Sequence, residues 1–285
     1  MGELKNKMVM KMELKNFSKR TIQIYLFHMK KFVKYFGKSP DQLRQAEVEQ
    51  YLHSFYGNKK SISNLVQAYS SLKFFYTEVL GQGEVVEKIL RPKTERKMPI
   101  VLSLPEVKRV IDNVKSYKSQ TVLMTIYSAG LRLSEALSLK IKDIDSSRMT
   151  IRVEQGKGRK DRYTILSKVL LDRLREYYRA YRPPEGKIEY LFSGKDGKLI
   201  NGPTIQRAFN ESKKKAGITK AATVHTLRHS FATHLLENGC DIFTIQSLLG
   251  HSSINSTKVY LHIQNSIKSK IENPLDSLMG YGNGL

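Results

Sequence analysis

The stretch "HTLRHSFATHL", residues 225–235, sets three histidines and an arginine into what otherwise reads as an apolar helix segment. Helical residues three and four apart share a face, so His225, Arg228 and His229 stand together. Leu227, Phe231 and Leu235 form the adjacent apolar face that must anchor the helix. Two histidines four apart suit zinc, which is the first chemical alternative. No metalloprotease glutamate lies between them, however, and the permanent charge of Arg228 disfavours a second cation. An anion fits better: the arginine fork grips a phosphate, and a histidine moves a proton or donates a hydrogen bond. One such helix alone is better explained by a histidine satisfied in a core, so the rest of the chain must decide.

Working outward, the whole chain is basic: 49 Lys and Arg against 26 Asp and Glu in 285 residues, a formal charge of +23. Such an imbalance points to a polyanionic partner. It is shared between the two parts of the chain, with 17 basic against 9 acidic residues in 1–95 and 32 against 17 in the remainder. Two separately basic parts fit a ligand that both touch at once, as a clamp on duplex DNA requires. Cys240 is the only cysteine, which excludes an intrachain disulfide or a cysteine-based metal cluster. The N-terminal segment lacks the apolar core of a signal peptide, and Asn6 breaks the lipidation pattern that Gly2 would begin. No stretch approaches the roughly 18 apolar residues of a membrane span. The expected setting is cytoplasmic.

Ile22, Leu26, Met29, Val33 and Phe36 recur in steps of four and three, marking an amphipathic helix from Ser18 that Gly37 ends. A second helix follows Ser39 and Pro40, and a third runs from about Ser61 to Gly81. Residues 81–103 mix Gly, Pro and charge without a period and read as a linker. The spacing predicts a helical domain over 1–92, a linker over 93–102, and a second domain over 103–285. Ser103, Pro105 and Glu106 form a capping box that opens the second domain. Within it, Gly130 breaks a helix just before Arg132, and Ser134 caps the short helix that follows. Residues 149–166 read as a β-hairpin with Lys157 near its tip, and helices follow around 169–181, 202–217, 225–239 and 241–250. Ile267, Ile271, Leu275 and Leu278 give the tail, about 264–285, one apolar face in need of a partner surface.

Read in order, "AGLRLSE" supplies Arg132, "QGKGRKDR" Lys157, "HTLRH" His225 and Arg228, "LLGHSSI" His251, and "STKVYLHI" Tyr260. This succession resembles the tyrosine recombinase, or phage integrase-like, family over nearly the whole chain, and most closely the Xer site-specific recombinases of archaeal type. The resemblance implies a mainly α fold: an N-terminal helical, SAM-like core-binding domain and a mostly helical catalytic domain with a small β-hairpin or sheet. The two close as a C-shaped clamp on double-stranded DNA. It also implies a homotetramer on two DNA sites, with a monomer or dimer as the form without DNA, and a C-terminal helix exchanged between neighbours.

By the same resemblance, Tyr260 is the nucleophile that forms a 3′-phosphotyrosyl bond and frees a 5′-hydroxyl. Arg132 and Arg228 bind the non-bridging oxygens, His251 hydrogen-bonds the phosphate, and Lys157 is the general acid for the leaving oxygen. A phenol of pKa about 10 needs help, from a base such as His225 or from the cationic surroundings. No ATP, metal or other cofactor is expected, since neither a phosphate-binding loop nor a carboxylate cluster suited to magnesium stands in the sequence.

Competing readings stay open. Arg159 and Lys160 compete with Lys157, His229 is assigned mainly to structure beneath the site, and His234 lies elsewhere on its helix. Glu135 orients Arg132 or caps a helix, and Cys240 reads as a small buried residue. For the whole protein, resolution of chromosome dimers at a dif-like site is the expected role. The alternatives are a mobile-element integrase, a type IB topoisomerase-like enzyme, and a non-catalytic DNA-binding relative.

Overall fold

The structure is a computed structural model and describes residues 2–57, 62–93, 98–154, 161–181, 190–194, 199–251 and 253–261. The chain is mainly helical with one small antiparallel sheet, and it divides into two compact units, 1–96 and 97–285.

The first unit begins with α1 (Gly2–Leu14), a helix that the charge-broken sequence did not suggest. Met8 and Met12, one turn apart, are buried and hold it to the core. Helix α2 (Lys19–Phe36) starts where the Ser18 side chain accepts from the Thr21 N–H at 3.1 Å, and ends at Gly37 in the left-handed conformation. Next come α3 (Gln45–Gly57) and α4 (Ile62–Phe74), which passes into a single wider turn over Phe75–Leu80 before Gly81; α5 (Glu84–Glu87) is short. Fully buried Ser71 lets α4 approach α2, donating to the Tyr25 carbonyl at 2.8 Å. Buried Tyr76 ties the turn to the loop before α3 through the carbonyls of Pro40 and Leu43.

The second unit opens with α6 (Leu104–Asp112), where the capping box forms as expected: Ser103 N–H donates to Glu106 Oε2 at 2.7 Å. The segment expected as linker is not loose at this end. Leu102 is fully buried, and its N–H donates to Ser230 Oγ at 2.9 Å. Residues 94–97 of that linker lie outside the described residues. Helix α7 (Tyr117–Ala129) is buried on several faces, with Thr121 and Thr125 returning their hydroxyls to backbone carbonyls one turn back. After α8 (Leu133–Leu137) come β1 (Ile144–Asp145), β2 (Thr150–Val153) and β3 (Arg162–Ile165), paired in that order. The hairpin is thus widened to three strands, while its tip, with Lys157, Arg159 and Lys160, falls outside the described residues. The remaining elements are α9 (Lys168–Ala180), α10 (Gly202–Lys215), α11 (Val224–Glu237) and α12 (Ile242–Leu249). Helices α9 and α11 both pack on α7. The 264–285 tail also lies outside the described residues.

Candidate active site

The end of α7 sets the geometry. Gly130 closes it with φ +62, and a Cβ there would lie 2.4 Å from the Phe231 ring on α11 and 3.1 Å from Leu249 on α12. Only glycine permits both the left-handed turn and this approach. Arg132 then stands at the start of α8, its N–H donating to Glu135 Oε2 at 2.9 Å and its guanidinium paired with Oε1. From β3, Arg162 donates to the same carboxylate, Nη2 to Oε2 at 2.7 Å and Nη1 to Oε1 at 3.1 Å, while its Nε bonds the Leu248 carbonyl at 2.8 Å. Gly250 makes room for that arm, since a Cβ there would sit 2.7 Å from Arg162 Cδ.

Arg228 is 1% exposed. It donates to the carbonyls of Gly130 and Leu249, each at 2.6 Å, and reaches Glu135 Oε2 at 3.5 Å. Three guanidinium groups therefore surround one carboxylate, leaving a surplus of positive charge in a poorly hydrated place. Burial alone would raise the Glu135 pKa; hydrogen bonds from Arg162 and the Arg132 N–H, with the charges of both arginines, instead hold it at about 2. Burial, and then the charge of Arg132, brings Arg228 down to about 10. An anion entering here offsets the surplus positive charge that brings Arg228 down.

Around this cationic floor stand three histidines and a tyrosine. The rings of His225 and His229 meet edge to face, 4.6 Å between centroids, with His225 exposed and His229 half-buried. Tyr260 is 1% exposed in a one-turn helix over Lys258–Tyr260, and its hydroxyl meets His229 Nδ1 at 2.9 Å. His251 meets buried Thr257 at 2.9 Å through its own Nδ1. Burial pushes Tyr260 up to about 12 against the lowering pull of Arg228 and Arg132. Burial, helped by neighbouring positive charge, lowers His229 and His251 to about 4 each. His225, though its residue is exposed overall, is lowered too, by partial loss of solvation on the side facing the site and then by the charges of Arg228 and Arg132. At neutral pH the imidazoles are uncharged and the phenol protonated.

Five residues singled out in the sequence, Arg132, His225, Arg228, His251 and Tyr260, thus lie in the second unit around Glu135. Lys157 lies outside the described residues. Glu135 both caps α8 and orients arginines. His225 and His229 share a face as expected, yet the tyrosine hydroxyl is held by His229 rather than His225. His234 meets the Tyr127 hydroxyl at 2.9 Å, away from this group. Three expectations change: Arg132 rather than Ser134 is the cap of α8, with Ser134 inside the helix; toward the end of α11 Leu236 rather than Leu235 is buried; and Cys240 is half-buried. Arg162 was not singled out, because an arginine in a run of basic residues gives no sign of its carboxylate partner 27 positions earlier. Among the described residues no group of three or more His, Cys, Asp or Glu could hold a metal ion, so zinc gains no support from His225 and His229.

Residues 101–266 match the model of the phage integrase family, and residues 4–83 match that of the phage integrase N-terminal SAM-like domain. An integrase/recombinase of Sinorhizobium fredii is 40% identical, covering 98% of this chain and 90% of its own length. The chain belongs to the phage integrase family of tyrosine recombinases, and is a site-specific DNA recombinase by that membership. Within the family it is similar to the Xer proteins: tyrosine recombinase XerA of Pyrococcus furiosus is 33% identical over 94% of this chain and 93% of its own. The same fold occurs in the crystal structure of XerH recombinase bound to a palindromic difH substrate, with a TM-score of 0.75 at 23% identity, covering 90% of this chain and 80% of that one. Among the described residues no helix is long and apolar enough to cross a membrane.

Proposed function

We propose that this recombinase cuts and rejoins duplex DNA through a 3′-phosphotyrosyl bond to Tyr260. The observation that carries the reading is the convergence of Arg132, Arg228 and Tyr260 on the cationic floor around Glu135. The two arginines bind the non-bridging oxygens of the scissile phosphate; preorganised donors of this kind are each worth about 10²–10³ in rate. Tyr260 Oη gives up its proton to the uncharged His225 and forms the bond to phosphorus as the P–O5′ bond breaks, and Lys157 protonates O5′. His251 donates to the phosphate, with its ring fixed by Thr257. Bond energy is kept in the phosphotyrosine, so a second DNA end reverses the step without ATP, and repetition on the other strand resolves a Holliday junction.

Both basic parts of the chain engage the duplex as a clamp, residues 1–92 as the core-binding domain and 103–285 as the catalytic domain. Four protomers assemble on two paired-repeat sites. The likeness to XerA supports resolution of chromosome dimers at a dif-like site, in the cytoplasm. The higher identity to the Sinorhizobium fredii integrase/recombinase favours a second reading, recombination of a mobile element.

The test is covalent capture. The protein is incubated with sheared DNA from its own source in EDTA, quenched with SDS, and the attached fragments are sequenced beside those from Tyr260→Phe. Tyrosine-dependent fragments sharing one paired repeat are expected. A single chromosomal locus supports dimer resolution and element ends support the second reading, while scattered fragments indicate topoisomerase-like activity. Capture that survives Tyr260→Phe assigns the nucleophile elsewhere.

A further inference from the structure

Tyr260 poses a positioning problem. Its backbone belongs to a turn of only three residues, Lys258–Tyr260. Its ring packs in a small cluster with Phe231, Leu236, Ile245 and Leu249, apolar contacts that fix its depth. They leave the direction of a polar hydroxyl to a polar partner, which a buried phenol almost always has. That partner is His229 Nδ1, at 2.9 Å.

His229 directly follows Arg228 on α11, a 14-residue helix buried on most of its faces. We infer that His229 is a positioning residue for the nucleophile: by accepting the Tyr260 hydroxyl hydrogen bond it fixes the attacking oxygen relative to the phosphate held by its neighbour Arg228. One rigid helix then carries both ends of the required distance. The inference rests on the reading of Tyr260 as nucleophile.

The imidazole is itself oriented, by the edge-to-face contact with His225 and by its contact with the Tyr260 ring, 5.8 Å between centroids. The charged and titratable groups about the pair are His225 and Arg228 on α11, Arg132 at the start of α8, and His251 after α12. Their surplus positive charge opposes protonation of the ring. With His229 at about 4 and Tyr260 at about 12 both groups are uncharged at neutral pH, and in the Nε2–H tautomer of the imidazole the phenol donates and Nδ1 accepts. Values so far apart make His229 a holder of the hydroxyl and a poor acceptor of its proton. Displacement of a reacting atom by about 1 Å costs on the order of 100-fold in rate, which sets the expected size of the effect.

The experiment measures the rate of SDS-stable, Tyr260-dependent capture of sheared source DNA by the full chain, for wild type, His229→Ala and His229→Asn. The Asn side-chain oxygen can stand near the position of Nδ1 and accept the same hydrogen bond. His229→Ala is expected to slow capture about 100-fold with DNA affinity little changed and the thermal midpoint lowered only by the loss of one buried hydrogen bond, and His229→Asn to regain about 10-fold of the lost rate and most of the midpoint. Faster capture by His229→Ala would overturn the inference, since the contact would then restrain the nucleophile. An Asn variant as slow as Ala, with both rescued as pH rises toward that of tyrosinate, would also overturn it, since His229 would then be a base. A matching fall in DNA affinity and stability would reduce His229 to a packing residue.

A DNA-free arm separates this from failure of the functional reading. The ¹⁵N resonance of His229 Nδ1 should shift on Tyr260→Phe, and no shift overturns the inference whether or not DNA is cut. A shift without any wild-type capture defeats the recombinase reading, and the positioning role falls with it.

Discussion

Arg162 grips Glu135 from the sheet while Arg132 grips it from three residues earlier, at the cap of α8, so one carboxylate joins β3 to the start of α8. Glu135 is 7% exposed, and removing one partner of a buried charge cluster typically costs about 3–5 kcal/mol because the remaining charges stand uncompensated. Glu135→Gln should therefore lower stability by about that amount, read as a lower urea midpoint at unchanged slope. Arg162→Lys should lose much of the same stability, since a point charge cannot reproduce the paired bonds to both oxygens. If Arg162→Lys is neutral, the sheet does not depend on this link.

The same cluster fixes the acid response. His229 and His251 have folded values near 4 against an ordinary 6.5, so the unfolded chain takes up protons first. Their stabilising contribution is present above pH 6.5 and is lost as pH falls toward 4. Glu135, at about 2 against 4.5, contributes above pH 4.5 and loses that contribution as pH falls toward 2. Urea midpoints should therefore decline in two stages, the first on the order of a few kcal/mol after allowance for partial exposure of the imidazoles. A midpoint flat from pH 7 to 4.5 would show the histidines to be unperturbed.

Gly130 and Gly37 make a matched pair. Both have positive φ, +62 and +65, but a Cβ at Gly37 meets nothing within 4 Å whereas one at Gly130 strikes Phe231. Gly37→Ala should cost only the left-handed backbone penalty, about 1–2 kcal/mol. Gly130→Ala adds overpacking of a further 1–3 kcal/mol, roughly, and should also slow DNA capture by moving α11 against α7. Equal costs would mean that Phe231 yields freely.

Binding to duplex DNA should weaken steeply with salt. Each phosphate neutralised contributes about −0.9 to the slope of log affinity against log salt, and a two-part clamp engages several. Separate measurement of the full chain and of Tyr260→Phe should give the same slope. A shallow slope would argue against engagement of DNA by both basic parts.

Helix starts and stops were legible in the sequence because their causes are local: the Ser18 cap, the Ser103 and Glu106 box, and the glycines at 37, 81, 130 and 250 each act within a turn or two. Helix α1 escaped notice because only tertiary burial of Met8 and Met12 outweighs its weak pattern. Strand β1, two residues long, exists only by pairing with β2.

The chemistry-bearing residues were likewise visible as types in order, each with a nearby glycine, cap or motif. What the sequence by itself determined is the set of local elements, the charge, and the ordered series from Arg132 to Tyr260 that marks the family. Only the tertiary structure decided the pairings: Arg162 with Glu135 across 27 positions, Arg228 with the carbonyls of Gly130 and Leu249, and Tyr260 with His229 rather than His225. The reason is physical. Caps and turns depend on the nearest backbone dihedrals, whereas the partner of a buried polar group is set by whichever distant surface closes over it, and a single sequence does not contain that distance.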